Sequence, residues 1–130
     1  MKKTVLESEK VGPPAAKYSH GWKVEGGKLV IIAGQVPENK EGRIVSPGNF
    51  EGQVRQVFEN LKNMLEAGGA TFKDIVQLMV LLTEQDQWQP FDKIRGDYLE
   101  PPYPATTLFV VKSLAKPEWM VEIEAVAVVE

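Results

Sequence analysis

Apolar residues follow two rhythms along this chain. Phe50, Val54, Val57, Phe58, Leu61, Met64 and Leu65 recur at helical spacing and predict a first helix with one apolar stripe. Asn49 stands as its N-cap, Glu51 lies in its first turn, and Gly68-Gly69 is the stop signal. A second helix is predicted from residue 86 to about 99, with Trp88, Phe91, Ile94, Tyr98 and Leu99 on its inner side. Pro90 falls near its start, where a missing N–H costs least, and Glu100-Pro101-Pro102-Tyr103-Pro104 ends it.

The second rhythm is that of strands. Leu29-Val30-Ile31-Ile32-Ala33-Gly34, inside a predicted strand over Lys28–Gln35, is apolar on both faces, and so is the segment 74–82. Further strands are predicted at 18–24, 106–111 and 120–129, with an edge strand before Gly12-Pro13-Pro14. Glu25-Gly26-Gly27 reads as the turn of a hairpin joining 18–24 to Lys28–Gln35, and 37–47 reads as a loop. The order ββ-α-β-α-ββ belongs to the α+β class. Two helices of this length cover one face of a four- or five-stranded sheet, yet strands apolar on both faces need cover on both. A second copy of the same sheet is the simplest cover, so a homo-oligomer with facing sheets is expected. The alternative is a monomer that closes its own sheet into a barrel.

Composition narrows the picture. A length of 130 residues suits a single domain spanning 1–130, and a formal charge of −3 gives no global positive field toward nucleic acid or anionic lipid. There is no cysteine, which removes disulfides and thiolate chemistry, and His20 is the single histidine, so no metal site is expected. The start, Met1-Lys2-Lys3, reaches charged residues before any long apolar run, and no stretch approaches the ~18 apolar residues of a membrane span. A cytoplasmic location without membrane partners is the expectation.

Candidate chemistry concentrates near the end of the chain. Strand periodicity puts Glu122, Glu124, Val126 and Val128 on one face. Two carboxylates there are either a solvated, salt-bridged rim or, through Glu124, the seat of a water or proton in a cleft. Gly34 at a strand end allows close approach of backbone or ligand, and Thr106 and Thr107 are β-formers whose hydroxyls suit a ligand oxygen. His20 reads as a hydrogen-bonded loop residue. Arg95 lies beside the second helix's stripe, where an arginine ordinarily packs its stem and pairs with a rim carboxylate. Arg55, Glu59, Lys62 and Glu66 form a solvated helix face, and the tryptophans are too scattered for a base-stacking platform.

Taken in order, several segments resemble the RidA/YjgF (Rid) family along nearly the whole chain. They are Gly12-Pro13-Pro14-Ala15-Ala16-Lys17-Tyr18-Ser19-His20, Ile32-Ala33-Gly34-Gln35-Val36-Pro37, Gly42-Arg43-Ile44-Val45, Leu65-Glu66-Ala67-Gly68-Gly69, Pro104-Ala105-Thr106-Thr107 and Val121-Glu122-Ile123-Glu124-Ala125-Val126-Ala127. The resemblance implies a chorismate-mutase-like α+β fold with two helices on one face of a mixed sheet. It also implies a homotrimer with a central barrel and ligand clefts between subunits. Family enzymes hydrolyse reactive imines and enamines to keto acids and ammonia without metal or organic cofactor. The resemblance assigns Glu124 the positioning of water and gives Tyr18, Ala33, Gly34 and Thr106 places in the pocket, with Arg95 near it. Deaminating members carry an arginine for the substrate carboxylate where this chain has Thr106, and Ala33 replaces a small hydroxyl residue, so the usual amino-acid-derived imine fits poorly.

Three functions follow: a deaminase acting on an imine that lacks the usual carboxylate or is held by Arg95; a non-catalytic trimer that binds a small metabolite or partner; and a ribonuclease or translation inhibitor. The acidic balance and single histidine weigh against the last.

Overall fold

The computed structural model describes residues 1–130. The elements run β1 (Lys2–Val5), β2 (Trp22–Glu25), β3 (Lys28–Gln35), α1 (Phe50–Ala67), β4 (Ile75–Leu82), α2 (Trp88–Arg95), β5 (Ala105–Val110) and β6 (Val121–Val129). This is the predicted order, edge strand included. The main sheet has the order β3-β6-β4-β5, with β6 antiparallel to both neighbours and β4 parallel to β5. β1 and β2 form a separate antiparallel pair.

The helices lie on one face. Val54, Val57, Phe58, Leu61 and Leu65 of α1 and Phe91 and Ile94 of α2 share a core with Ile32, Leu78, Val80, Leu82, Ile123 and Ala125. The alternate strand positions point away, as period two requires. The Asn49 side chain accepts from the Gly52 N–H at 2.9 Å, fixing the start of α1, and Gly69 takes φ +73 just past its end. Gln53, fully buried, ties α1 to the approach of β6: its Nε2 donates to the Glu118 carbonyl at 3.1 Å and its Oε1 accepts from the Met120 N–H at 2.8 Å.

Four expectations need correction. Residues 18–24 and Lys28–Gln35 do not form a hairpin: β2 pairs with β1, and β3 with β6. The Ser19 N–H donates to the Pro104 carbonyl at 3.1 Å and Trp22 Nε1 to the Tyr103 carbonyl at 3.0 Å, so this segment follows the entry of β5. The second helix is shorter than 86–99, with a 3₁₀ turn over Gln85–Gln87 before it, and Trp88 is exposed rather than inward. Met64 is exposed too, at the margin of the α1 stripe. β4 is fully buried on its helix-facing side alone; Gln77 on the other side is exposed.

The second sheet face carries no cover from the chain's own helices. Ile31 and Leu29 on β3 are 73% and 66% exposed, and Phe109 on β5 is exposed as well. Between them lie Glu122, Glu124 and Val126 of β6 and Gln77, Met79 and Leu81 of β4, paired Glu124 with Met79 and Glu122 with Leu81. An apolar strand face this open is the feature that called for a second copy of the sheet.

Candidate functional site

Tyr18, Arg95 and Thr106 come together. With Ala15, Ala16, Trp88, Thr107 and Leu108 they line a hollow of about 410 Å³ at the β5 edge. α2 sets the depth of Arg95: the residue is only 3% exposed, its guanidinium carbon lies 5.3 Å from the Phe91 ring centroid, and its head is held by Asp92 one turn earlier. Arg95 Nε donates to Asp92 Oδ1 at 2.9 Å, Nη2 lies 2.7 Å from the same oxygen as an ion pair, and the Lys17 N–H donates to that oxygen at 2.9 Å. Lys17 Nζ reaches Asp92 Oδ2 at 3.3 Å. Burial on its own would raise the Asp92 carboxyl; the Lys17 N–H and the Arg95 and Lys17 side chains outweigh it and hold the group below its ordinary range. Arg95 Nη1 is buried and has no hydrogen-bond partner in the chain. Thr106 Oγ1 donates to the Pro104 carbonyl at 3.1 Å, which leaves it only acceptor capacity toward the hollow.

Ala33, Gly34 and Glu124 lie elsewhere. A register shift between Ile32 and Gln35 takes Ala33 and Gly34 out of the β3–β6 ladder, and the Ala33 carbonyl accepts from Gln35 Nε2 at 3.2 Å. Glu124 is exposed on the open face and pairs across to Met79, which pairs with Thr107. Two strand spacings therefore put Glu124 roughly 10 Å from Thr107 on one chain. The carboxylate that approaches Gly34 is Glu122, whose oxygen occupies the space a Cβ would need. Burial first, and the Glu124 charge second, raise the Glu122 carboxyl above its ordinary range.

The six expected site residues thus fall into two groups, Tyr18, Arg95 and Thr106 at one edge and Ala33, Gly34 and Glu124 near the other. Sequence reasoning missed the Asp92–Lys17 clamp on Arg95, the place of Trp88 in the hollow wall and the contact of Glu122 with Gly34. Spacing gave a signal for one of these, since Glu122 shares its face with Glu124. His20 behaves as the loop residue it was read to be, its Nε2–H donating to the Gly12 carbonyl at 2.6 Å. In a broader hollow between α1 and α2, Arg55 is engaged by Glu51, Asp97 and the Tyr98 hydroxyl.

Fold and geometry define an α+β protein with helices on one sheet face and polar groups at the rim of the other. The family model described as endoribonuclease L-PSP matches residues 9–129. A RutC family protein of Pyrococcus horikoshii is 33% identical over 126 residues, covering 96% of this chain and 97% of that protein. The structure of YyfB, a protein of the conserved Rid family from Yersinia pestis, superposes with a TM-score of 0.90 at 31% identity, over 99% of this chain and 100% of that one. RidA from an Antarctic Psychrobacter superposes with a TM-score of 0.74 at 29% identity, over 97% and 99%. The chain belongs to this family, the Rid (RidA/YjgF, L-PSP) family. No helix is long and apolar enough to cross a membrane.

Proposed function

We propose that this chain hydrolyses a small reactive imine or enamine, of a class other than the usual amino-acid-derived one, in clefts completed by further copies of itself. Water adds to the C=N carbon and the resulting carbinolamine expels ammonia as the carbonyl forms. The observation that carries this reading is the split of the site, with Tyr18, Arg95 and Thr106 at the β5 edge and Gly34 and Glu124 across the open face. Copies that cover Leu29, Ile31 and Phe109, as in the trimer the family resemblance implies, would set one half against the other. Glu124 would then hold the attacking water and Tyr18 would flank the ligand. An imine is already electrophilic, so positioning and charge stabilisation supply a useful acceleration. Thr106 offers neither the charge nor the paired donors that hold an adjacent carboxylate. Fold alone does not fix the reaction; the residues of the site carry the argument.

The test is ammonia release from a panel of imines by wild type and Glu124→Gln. The expected result is turnover that falls by about a hundredfold or more in the variant while ligand affinity stays within a fewfold. A trimer that binds ligand but releases ammonia from none of the panel supports the binding-module reading instead, which the lack of a hydroxyl at Ala33 favours. RNA cleavage finds little support in a chain of net charge −3 whose single histidine is tied to a loop carbonyl. RNA binding with a steep salt dependence would revive it.

A further inference from the structure

We infer that Asp92 is a positioning residue: through the Lys17 N–H it holds the segment 15–18 in place as one wall of the β5-edge hollow. Its part in catalysis rests on the reading of that hollow as part of the small-molecule cleft. Ala15, Ala16 and Tyr18 line the hollow, whereas Lys17, between them, turns its N–H and its side chain to Asp92 of α2. From Pro13 to Tyr18 the hydrogen bonds to the rest of the chain both end on that one carboxylate. The Lys17 N–H donates to Oδ1 at 2.9 Å and Lys17 Nζ donates to Oδ2 at 3.3 Å. The segment's other bonds are internal, from the Tyr18 N–H to the Ala16 carbonyl at 2.9 Å and from the Ala15 N–H to the Tyr18 hydroxyl at 3.5 Å. The chain is next fastened at Gly12, whose carbonyl meets His20, and at Ser19, whose N–H donates to the Pro104 carbonyl.

The surroundings suit Asp92 to this role. Its carboxylate is itself held still, because the buried Arg95 donates from Nε to Oδ1 at 2.9 Å with Nη2 2.7 Å from the same oxygen. A charged acceptor makes the stronger kind of bond to a backbone N–H, and a partly buried setting screens it less than water does. Gly96 at the end of α2 keeps the way clear. A Cβ there would stand 3.0 Å from Lys17 Cε, so the bare glycine backbone lets the lysine stem approach the helix end. Pro13 and Pro14, just ahead of the segment, have no N–H to offer, so they supply no substitute donor when Asp92 is removed. A wall hydrogen-bonded at one residue loses its shape when that residue goes. A ligand then has to order Ala15, Ala16 and Tyr18 as it binds, and that cost falls on affinity rather than on the chemical step.

The experiment follows backbone amide exchange and imine hydrolysis in the full chain for wild type, Asp92→Ala, Asp92→Asn and Lys17→Met. The substrate probe is benzaldimine, freshly generated by oxidation of benzylamine, which carries no carboxylate. The Lys17 amide is expected to exchange about tenfold or more slowly in wild type than in Asp92→Ala, with exchange in the core strands unchanged. Asp92→Ala is expected to raise KM by about tenfold while kcat stays within about threefold. Asp92→Asn, which keeps an oxygen for the Lys17 N–H, recovers most of both losses, and Lys17→Met, which spares that N–H, has the smallest effect. A role in general stability alone would instead speed exchange across the core strands and give no loss specific to KM. A wild-type Lys17 amide that exchanges as fast as in an unstructured peptide overturns the anchor, and that result needs no variant to fold. A protected Lys17 amide without any imine turnover keeps the anchor and removes the catalytic reading. Turnover whose KM and kcat are unmoved by Asp92→Ala keeps the catalytic reading and overturns the positioning role.

Discussion

The Glu122 carboxylate rests against the α-carbon of Gly34, in the volume a Cβ would take, so the two residues fix each other's position at the β3 bulge. Glycine is required there by close approach, since any larger residue must move the acid. Because that acid is the far end of a flexible side chain, Gly34→Ala is expected to change stability by no more than about 1 kcal/mol. It is expected to lower imine turnover by about tenfold or more, by moving Glu122 off the bulge beside Glu124. Urea unfolding alongside ammonia release separates the two effects.

Glu122 also gives the chain a pH signature. Burial, then the Glu124 charge, raises its carboxyl above the ordinary value of 4.5. The folded chain therefore keeps this proton to higher pH than the unfolded chain, and the group's contribution to stability declines as pH rises from 4.5 through the folded value. Glu122→Gln is expected to be more stable than wild type at neutral pH, with the difference closing toward about pH 4. Urea midpoints measured across that range check the sign; a variant less stable than wild type at neutral pH contradicts it.

Gln53 is the polar rivet of the helix-covered face. Replacing it with leucine leaves the Met120 N–H and the Glu118 carbonyl without their side-chain partner at a part-buried contact. A loss of about 1–3 kcal/mol is expected from denaturant unfolding, as for other buried groups left unpaired.

The open sheet face makes its own prediction. Ile31→Asp places a charge on the most exposed large apolar residue of β3. Sedimentation is expected to show wild type as an oligomer and the variant shifted toward single chains, with its far-ultraviolet spectrum preserved because Ile31 lies outside the core. A wild-type monomer would remove the cover for this face and, with it, the completed cleft.

Local rules made some of this legible from the sequence and left the rest hidden. The α1 stripe, its Asn49 cap and the Gly68-Gly69 stop depend on neighbours in the chain, and they appear as read apart from the exposed Met64. The apolar excess of β3 was visible because Leu29 and Ile31 alternate with Val30 and Ile32 on opposite faces. The β1–β2 pairing was not, since Gly26-Gly27 suits a hairpin equally well, and the choice is made by distant partners, Pro104 for Ser19 and Tyr103 for Trp22. The Arg95 clamp joins α2 to Lys17, 75 residues away from Asp92, a contact that helical spacing does not encode. Trp88 looked inward by periodicity because the predicted helix ran on past Arg95 and began before Trp88; the observed helix opens with that residue.

The most direct measurement is ammonia release by wild type and Thr106→Arg from freshly generated 2-aminoacrylate and from imines without an adjacent carboxylate. The account expects wild type to favour the imines without an adjacent carboxylate. It expects Thr106→Arg to raise turnover of 2-aminoacrylate by about tenfold or more, as a charge is restored beside the ligand. Wild type that already prefers 2-aminoacrylate, with no gain from the arginine, would contradict it.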